Sequence, residues 1–281
     1  MVELKRVEIN KPVIYTLKMN IGIIGCGVVG SACRYGFEKL GHVVHVHDLK
    51  FNTNIEVVKS TDICFISVPT PPTAEGHCDT SIVDQVIDDL VQINYIGTIA
   101  IKSTVKPGTC DRLSSKTGRQ ICFVPEFLRE RCASIDFVEN HDLLAIGTKN
   151  KEHFDKIKEC HGKYPKHVVS LKPIEAELLK YYSNVFNALR VTFANEMYEI
   201  CKAVGADYSK VKDTFILRGT TTDMYLDVNE NFRGYGGVCL PKDTAAMAAL
   251  AKELNLDLEL FDTLQKENKK FKTTVFKGMR L

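Results

Sequence analysis

Of the ten cysteines among 281 residues, Cys239 has the setting most suited to chemistry, in Gly234-Tyr235-Gly236-Gly237-Val238-Cys239-Leu240-Pro241-Lys242-Asp243. The glycines let backbone approach a ligand, and Pro241 suits the start of a helix, so the thiol is expected at a helix N-terminus. There the positive end of the helix dipole would lower a thiol's pKa and enrich the thiolate, the form that attacks carbonyls. An inert core thiol is the competing reading for any one cysteine of ten. The flanking glycines, proline and charged pair favour function.

A second constellation is Gly25-Cys26-Gly27-Val28-Val29-Gly30, a G-x-G-x-x-G that closes an expected strand and opens an expected helix. Such glycines allow a tight turn and the close approach of a pyrophosphate to backbone amides. Alone the pattern is weak, because glycines also close ordinary turns. Asp48 strengthens it: eighteen residues after Gly30, at the end of the next strand, its carboxylate can accept from an adenosine ribose hydroxyl. The two together indicate a dinucleotide, with Asp48 favouring NAD over NADP by charge and Lys50 nearby weakening that preference. The stiff Val68-Pro69-Thr70-Pro71-Pro72 loop lies beyond a strand's carboxyl end, where it could line the cofactor crevice. A rigid turn reads equally well.

Lys180 and Asn184 are four apart on an expected helix and share a face. They could steady and donate to the same oxyanion, although a solvated polar stripe explains them as readily. Pro125-Glu126-Phe127-Leu128-Arg129-Glu130 follows a strand end and offers two carboxylates, one a candidate general base. A surface loop is equally economical.

The elements that must position these residues are legible as alternation. Strands are expected near 20–24, 43–47, 62–68, 98–102, 121–124 and 143–147, with helices near 28–40, 80–92, 108–117 and 150–161. That order predicts an α/β fold, a Rossmann-type doubly wound parallel sheet. After Pro173 the spacing of Ile174, Leu178, Tyr181, Val185, Leu189 and Phe193 predicts one long helix reaching Gly205. Segments 207–217, 241–254 and 257–271 also read as helices. The expected organisation is a leader or edge strand over 1–18, a dinucleotide domain over 19–170 and an all-helical domain over 171–281. Only thirteen residues separate Asp48 from the strand at Asp62, so the adenine side is expected to be pared down.

Composition sets the outer limits. Hydrophobic residues make up 44% and charged residues 26%, enough for a buried core. A net charge of +2 gives no field that argues for nucleic acid or an anionic membrane. No apolar run is long enough to span a bilayer and the start lacks a secretory core, so the cytoplasm is the expected compartment. No C-x-x-C pair occurs, and His42, His45 and His47 fall in an apparent strand whose alternation splits them, so no metal is expected.

These motifs, in this order, resemble those of the UDP-glucose and GDP-mannose dehydrogenases, NAD-dependent enzymes that oxidise a sugar alcohol twice to a carboxylate. The likeness runs from Met19 to about Leu254. It includes the glycine loop, Val68 to Pro72, Lys102-Ser103-Thr104-Val105-Lys106-Pro107-Gly108-Thr109, Pro125 to Glu130, the Lys180 and Asn184 helix and the cysteine segment. The resemblance implies that Cys239 captures an aldehyde as a thiohemiacetal, which is then oxidised to a thioester. It implies Glu130 as the hydrolytic base, also near the cofactor, with Lys180 and Asn184 stabilising the oxyanion. Asp243 would position water or move a proton, and Thr104 would hold water near the cofactor. Glu126, Phe127 and Leu128 would face the sugar, with Tyr235 and Gly236 completing its cradle.

The same resemblance implies a nucleotide-sugar substrate, UDP-glucose foremost, and a homodimer through the long helix. It also implies a further α/β domain where this sequence ends, so a second chain could supply that part. Two other readings stay open: a two-electron 3-hydroxyacid or 6-phosphogluconate-type dehydrogenase, which has no use for Cys239, and a non-catalytic NAD-binding protein.

Overall fold

The computed structural model describes residues 18–273. Five strands form first: β1 Asn20–Ile24, β2 Val43–His47, β3 Ile63–Ile66, β4 Thr98–Ile101 and β5 Ile121–Phe123. They are parallel and lie in the order β2-β1-β3-β4-β5. Every residue of β3, β4 and β5 is buried, as expected where helices cover both sheet faces. Burying each Ile or Phe side chain there contributes on the order of 1.5–3 kcal/mol. The covering helices include α1 Val28–Lys39, α2 Ser81–Gln92 and α3 Thr109–Thr117.

The sheet is not parallel throughout. β6 Leu143–Gly147 meets β5 antiparallel, pairing Gly147 with Phe123, and β7 His167–Leu171 then runs parallel to β6. The chain reverses because 124–142 carries only a 3-10 turn, Glu130–Cys132, and α4 Ala133–Val138, which packs on α1, and no crossover returns it to the starting edge. α5 Lys151–His161 supplies the right-length crossover between β6 and β7. Neither α4 nor β7 is visible as periodicity, since α4 has six residues and β7 has no fully buried residue. The pared-down adenine side is two short 3-10 turns, Leu49–Phe51 and Ile55–Val58. His42 precedes β2 and is buried between the Met19 amide and the Cys160 carbonyl.

After Leu171 come α6 Pro173–Ala203, α7 Tyr208–Ile216, α8 Leu240–Glu253 and α9 Leu260–Asn268. α6 buries only the middle of the apolar row read from its sequence, Tyr181 and Val185. Ile174, Leu178 and Phe193 are exposed, while Glu177, Lys180, Tyr181, Asn184, Val185 and Ala188 face inward. The inward face mixes these apolar residues with Glu177, Lys180 and Asn184, whose polar groups are satisfied by ion pairs and caps where α6 packs against α3, β5 and α8. The leader over 1–17 and the segment over 274–281 lie outside the described residues.

Candidate active site

The dinucleotide loop forms as its glycines require. Gly25 has φ +87°, and a side chain there would meet the Ser67 carbonyl oxygen at 2.6 Å; at Gly30 it would meet the Gly25 oxygen at 2.0 Å. Both glycines are therefore demanded by the turn itself. Gly27 differs: a side chain there would have no protein atom within 4 Å, so it opens onto space at the N-terminus of α1. That is where a pyrophosphate would lie against helix amides. The buried hydroxyl of Ser67, beside this loop, has no protein partner.

Asp48 ends β2 and accepts the amide N–H of Cys26 at 2.6 Å and of Lys50 at 2.8 Å. Burial works against its charge, but these bonds and Lys50 hold its carboxyl below the usual range. Two of about four acceptor positions on the carboxylate are thus used, leaving two for ribose hydroxyls. The residues present fit a dinucleotide. Val28 and Val29 open α1, and Val68, Pro69 and Thr70 leave β3, with the Val68 carbonyl tied to Ser103 Oγ at 2.7 Å.

Cys239 is the N-cap of α8, with Pro241 in the first turn. It is the one exposed cysteine; Cys132 is half-buried and the other eight are buried. The dipole does not lower its pKa as expected. Desolvation by surrounding protein pushes the thiol up, and Glu126 and Asp243 add to that, outweighing Lys180 and Lys242.

Lys180 is a buried cation. Its Nζ donates to the Glu126 carbonyl at 2.6 Å and to Glu126 Oε1 at 2.9 Å, while Glu126 Oε2 accepts the Leu128 amide at 2.8 Å. Desolvation disfavours both charges, yet their mutual attraction and hydrogen bonds win. Glu126 stands below and Lys180 above its ordinary pKa. Asn184 Nδ2 donates to Asp243 Oδ2 at 2.5 Å, and the other oxygen of this fully buried carboxylate accepts from Lys242 Nζ at 2.6 Å. Lys180 and Asn184 are therefore not a solvated stripe. By donor count, Lys180 keeps one of three hydrogens and Asn184 one of two for another acceptor.

The remaining expected residues fall around this centre unequally. A side chain at Gly237 would lie 4.0 Å from Glu130 Oε2, which places that carboxylate beside the cysteine loop. The Phe127 ring centroid lies 5.8 Å from Lys180 Nζ. Thr104 is half-buried, and its carbonyl accepts the Cys78 thiol at 3.1 Å. Leu128 packs partly into the core. Tyr235 is 2% exposed, with its ring inside the helical layer and both backbone groups bonded to Asn268, which leaves half-buried Gly236 as the part of this pair that can face a ligand.

Sequence reasoning missed Glu177. Its carboxylate, fully buried on α6, accepts the amides of Gly108 at 2.5 Å and Cys110 at 2.8 Å. It thereby caps α3 and ties the Thr104 loop to the helix of Lys180. An acid three residues before Lys180, on the same face, was the available signal.

Residues 43–164 match the NAD binding domain, and residues 174–270 the central domain, of the UDP-glucose/GDP-mannose dehydrogenase family. The chain belongs to this family. It is accordingly an NAD-dependent oxidoreductase. A UDP-glucose 6-dehydrogenase of Rickettsia bellii (strain RML369-C) is 30% identical over 294 residues, covering 89% of this chain and 67% of that protein. A solved UDP-glucose dehydrogenase from the archaeon Pyrobaculum islandicum superposes with a TM-score of 0.82 at 27% identity, covering 91% of this chain and 69% of that one. The chain thus spans about two thirds of the length of these relatives. A 3-hydroxyisobutyrate dehydrogenase of Mycobacterium tuberculosis shares the fold, with a TM-score of 0.71 at 13% identity, covering 91% of this chain and 94% of that one. Among the described residues no helix is long and apolar enough to cross a membrane.

Proposed function

We propose that the chain carries out the four-electron oxidation of a nucleotide sugar, UDP-glucose foremost, from the C6 alcohol to the carboxylate. The observation that carries this reading is the cluster at the α8 N-terminus. It combines a thiol on an exposed residue, two buried ion pairs and two residual N–H donors. A two-electron hydroxyacid dehydrogenase would use a lysine and an asparagine but has no need of a thiol there.

NAD bound at the glycine loop supplies the hydride acceptor for each oxidation. In the first step the alcohol loses a C6 hydride and its hydroxyl proton, giving the aldehyde. The Cys239 thiolate adds to the carbonyl carbon and the oxygen takes a proton, giving a thiohemiacetal. Loss of the second hydride and that proton leaves a thioester. Water then cleaves the C–S bond, releasing the carboxylate and the thiol. The net change is alcohol, two NAD and water to carboxylate, two NADH and three protons.

In this scheme the remaining N–H groups of Lys180 and Asn184 meet the developing oxyanion. Glu130 acts as base for the hydrolytic water, Thr104 holds water near the nicotinamide, and Asp243 orients Asn184 and a proton-carrying water. Glu126 holds Lys180, leaving Phe127, Leu128 and the backbone at Gly236 to face the sugar, with buried Tyr235 supporting that cradle from behind. The exposed row Ile174, Leu178, Tyr182, Phe186 and Phe193 on α6 supports a homodimer. A second chain would contribute further nucleotide contacts, and the cytoplasm is the compartment that suits ten free thiols.

The test is NADH released per UDP-glucose consumed, with Cys239→Ala alongside. Two per sugar, falling to one or none in the variant, is expected. A ratio of one in the unmodified chain, or full oxidation by the variant, rejects the thioester route.

A further inference from the structure

The segment carrying Cys239 contains glycines at 234, 236 and 237, the residue type that loses most conformational entropy on ordering. Its downstream end is held by α8. Its upstream end is held by a residue distant in sequence and outside the chemistry described above. Asn268, the last residue of α9, is 9% exposed and hydrogen-bonds both backbone groups of Tyr235. Its Oδ1 accepts the Tyr235 amide at 2.7 Å and its Nδ2 donates to the Tyr235 carbonyl at 2.9 Å.

The side-chain amide thus pairs with one residue as a neighbouring strand would, next to an isolated parallel bridge between Gly234 and Thr273. The fit is close. A side chain at Gly234 would approach Asn268 Oδ1 at 3.0 Å and the Phe271 carbonyl oxygen at 3.1 Å. Behind it, the amides of Arg233 and Gly234 donate to the Lys272 carbonyl at 3.0 and 2.8 Å. The Arg233 guanidinium lies between the Phe271 and Tyr198 rings, at 4.4 and 4.9 Å from their centroids.

We infer that Asn268 is a positioning residue for Cys239, pinning the glycine-rich segment four residues upstream of the thiol so that the sulfur meets the aldehyde carbon. The inference rests on the thioester route proposed above for what the pinning achieves, and on hydrogen bonding alone for the pinning itself. The first hydride transfer needs no sulfur and the second does. Loosening the segment therefore separates the two oxidations, whereas general destabilisation would slow both together.

Two measurements on the full chain test it, using Asn268→Ala and Asn268→Asp; the aspartate keeps the acceptor for the Tyr235 amide and loses the donor. Hydrogen–deuterium exchange over residues 233–239 is expected to rise on the order of tenfold or more in Asn268→Ala, with α8 and β1 unchanged and Asn268→Asp intermediate. Unchanged exchange overturns the inference whether or not the chain turns over. With UDP-glucose and NAD, NADH per sugar is expected to fall from two towards one in Asn268→Ala, with aldehyde recovered in quenched samples. The rate of complete oxidation should drop by about a hundredfold, as misplacing a reacting group by about an ångström can do. KM for NAD should stay within about twofold. A ratio held at two, whatever the rate, also overturns it. A ratio of one in the unmodified chain rejects the thioester route instead, leaving the exchange result to decide the pinning.

Discussion

Replacing Lys180 by methionine removes one half of a buried ion pair while keeping most of the side-chain volume. The side chains of Lys180 and Glu126 are 4% and 11% exposed, so solvent can do little for the carboxylate left behind. Breaking such a pair from one side costs about 3–5 kcal/mol. Glu126 keeps its bond from the Leu128 amide, which points to the lower end, about 3 kcal/mol. For a chain of this size that is a fall in Tm of about 6–12 °C.

The loss carries a pH signature. In the native protein the Glu126 pKa is depressed, because Lys180 and hydrogen bonds overcome desolvation. Its contribution to stability is therefore present above the ordinary carboxylate value and disappears as pH falls through the depressed one. Without Lys180 desolvation dominates and the folded pKa is raised. The residual contribution is then present at low pH and lost as pH rises. The gap between native and Lys180→Met should widen from pH 4 to pH 7, by at most about 1.4 kcal/mol per pH unit within the titration window. The sequence has no tryptophan, so far-ultraviolet circular dichroism is the suitable probe of unfolding. Adding Glu126→Gln should restore stability but not oxidation. A fall in Tm under about 2 °C, or a gap independent of pH, would refute the assignment of a buried, mutually dependent pair.

Three further outcomes follow from the site. Gly27→Ala should fold with unchanged Tm yet lose at least about tenfold in NAD affinity by NADH fluorescence titration. Gly30→Ala should lose both, because its side chain has no room; equal behaviour of the two would contradict the ligand-facing role of Gly27. Asp48→Asn should weaken NAD binding by about tenfold while narrowing the preference over NADP, at a cost of about 1–2 kcal/mol from the charge-assisted bond. Alkylation of Cys239 by iodoacetamide, followed by peptide mass spectrometry, should inflect above the ordinary thiol pKa and move higher in Lys180→Met. An inflection below pH 8 would show that the helix dipole governs the thiol after all.

What could be read from the sequence was local. The glycine loop, the spans of six of the seven strands in full or nearly so, the extent of α6 and the seat of Cys239 before Pro241 depend on turn chemistry, caps and short periodicities. All are encoded within a few residues of one another. The direction of β6 and the existence of β7 were not legible, because strand direction depends on the path of the connecting chain and an edge strand need not alternate cleanly. The periodicity of α6 located the helix but only part of its buried face, Tyr181 and Val185. Ile174, Leu178 and Phe193 lie on its outer side, while Glu177, Lys180 and Asn184 face inward towards partners 54 to 69 residues away in sequence.

The state of each functional group was likewise decided by tertiary structure. The sequence determined that a thiol caps a helix, a lysine and an asparagine share a face, and a carboxylate ends β2. It did not determine that Lys180 would be sealed against Glu126, that the thiol's pKa would rise, or that Asn268 would hold Tyr235. Burial and long-range hydrogen bonding are properties of what packs against a residue, and electrostatic energy inside a protein depends on that surrounding medium more than on the residue's own neighbours in the chain.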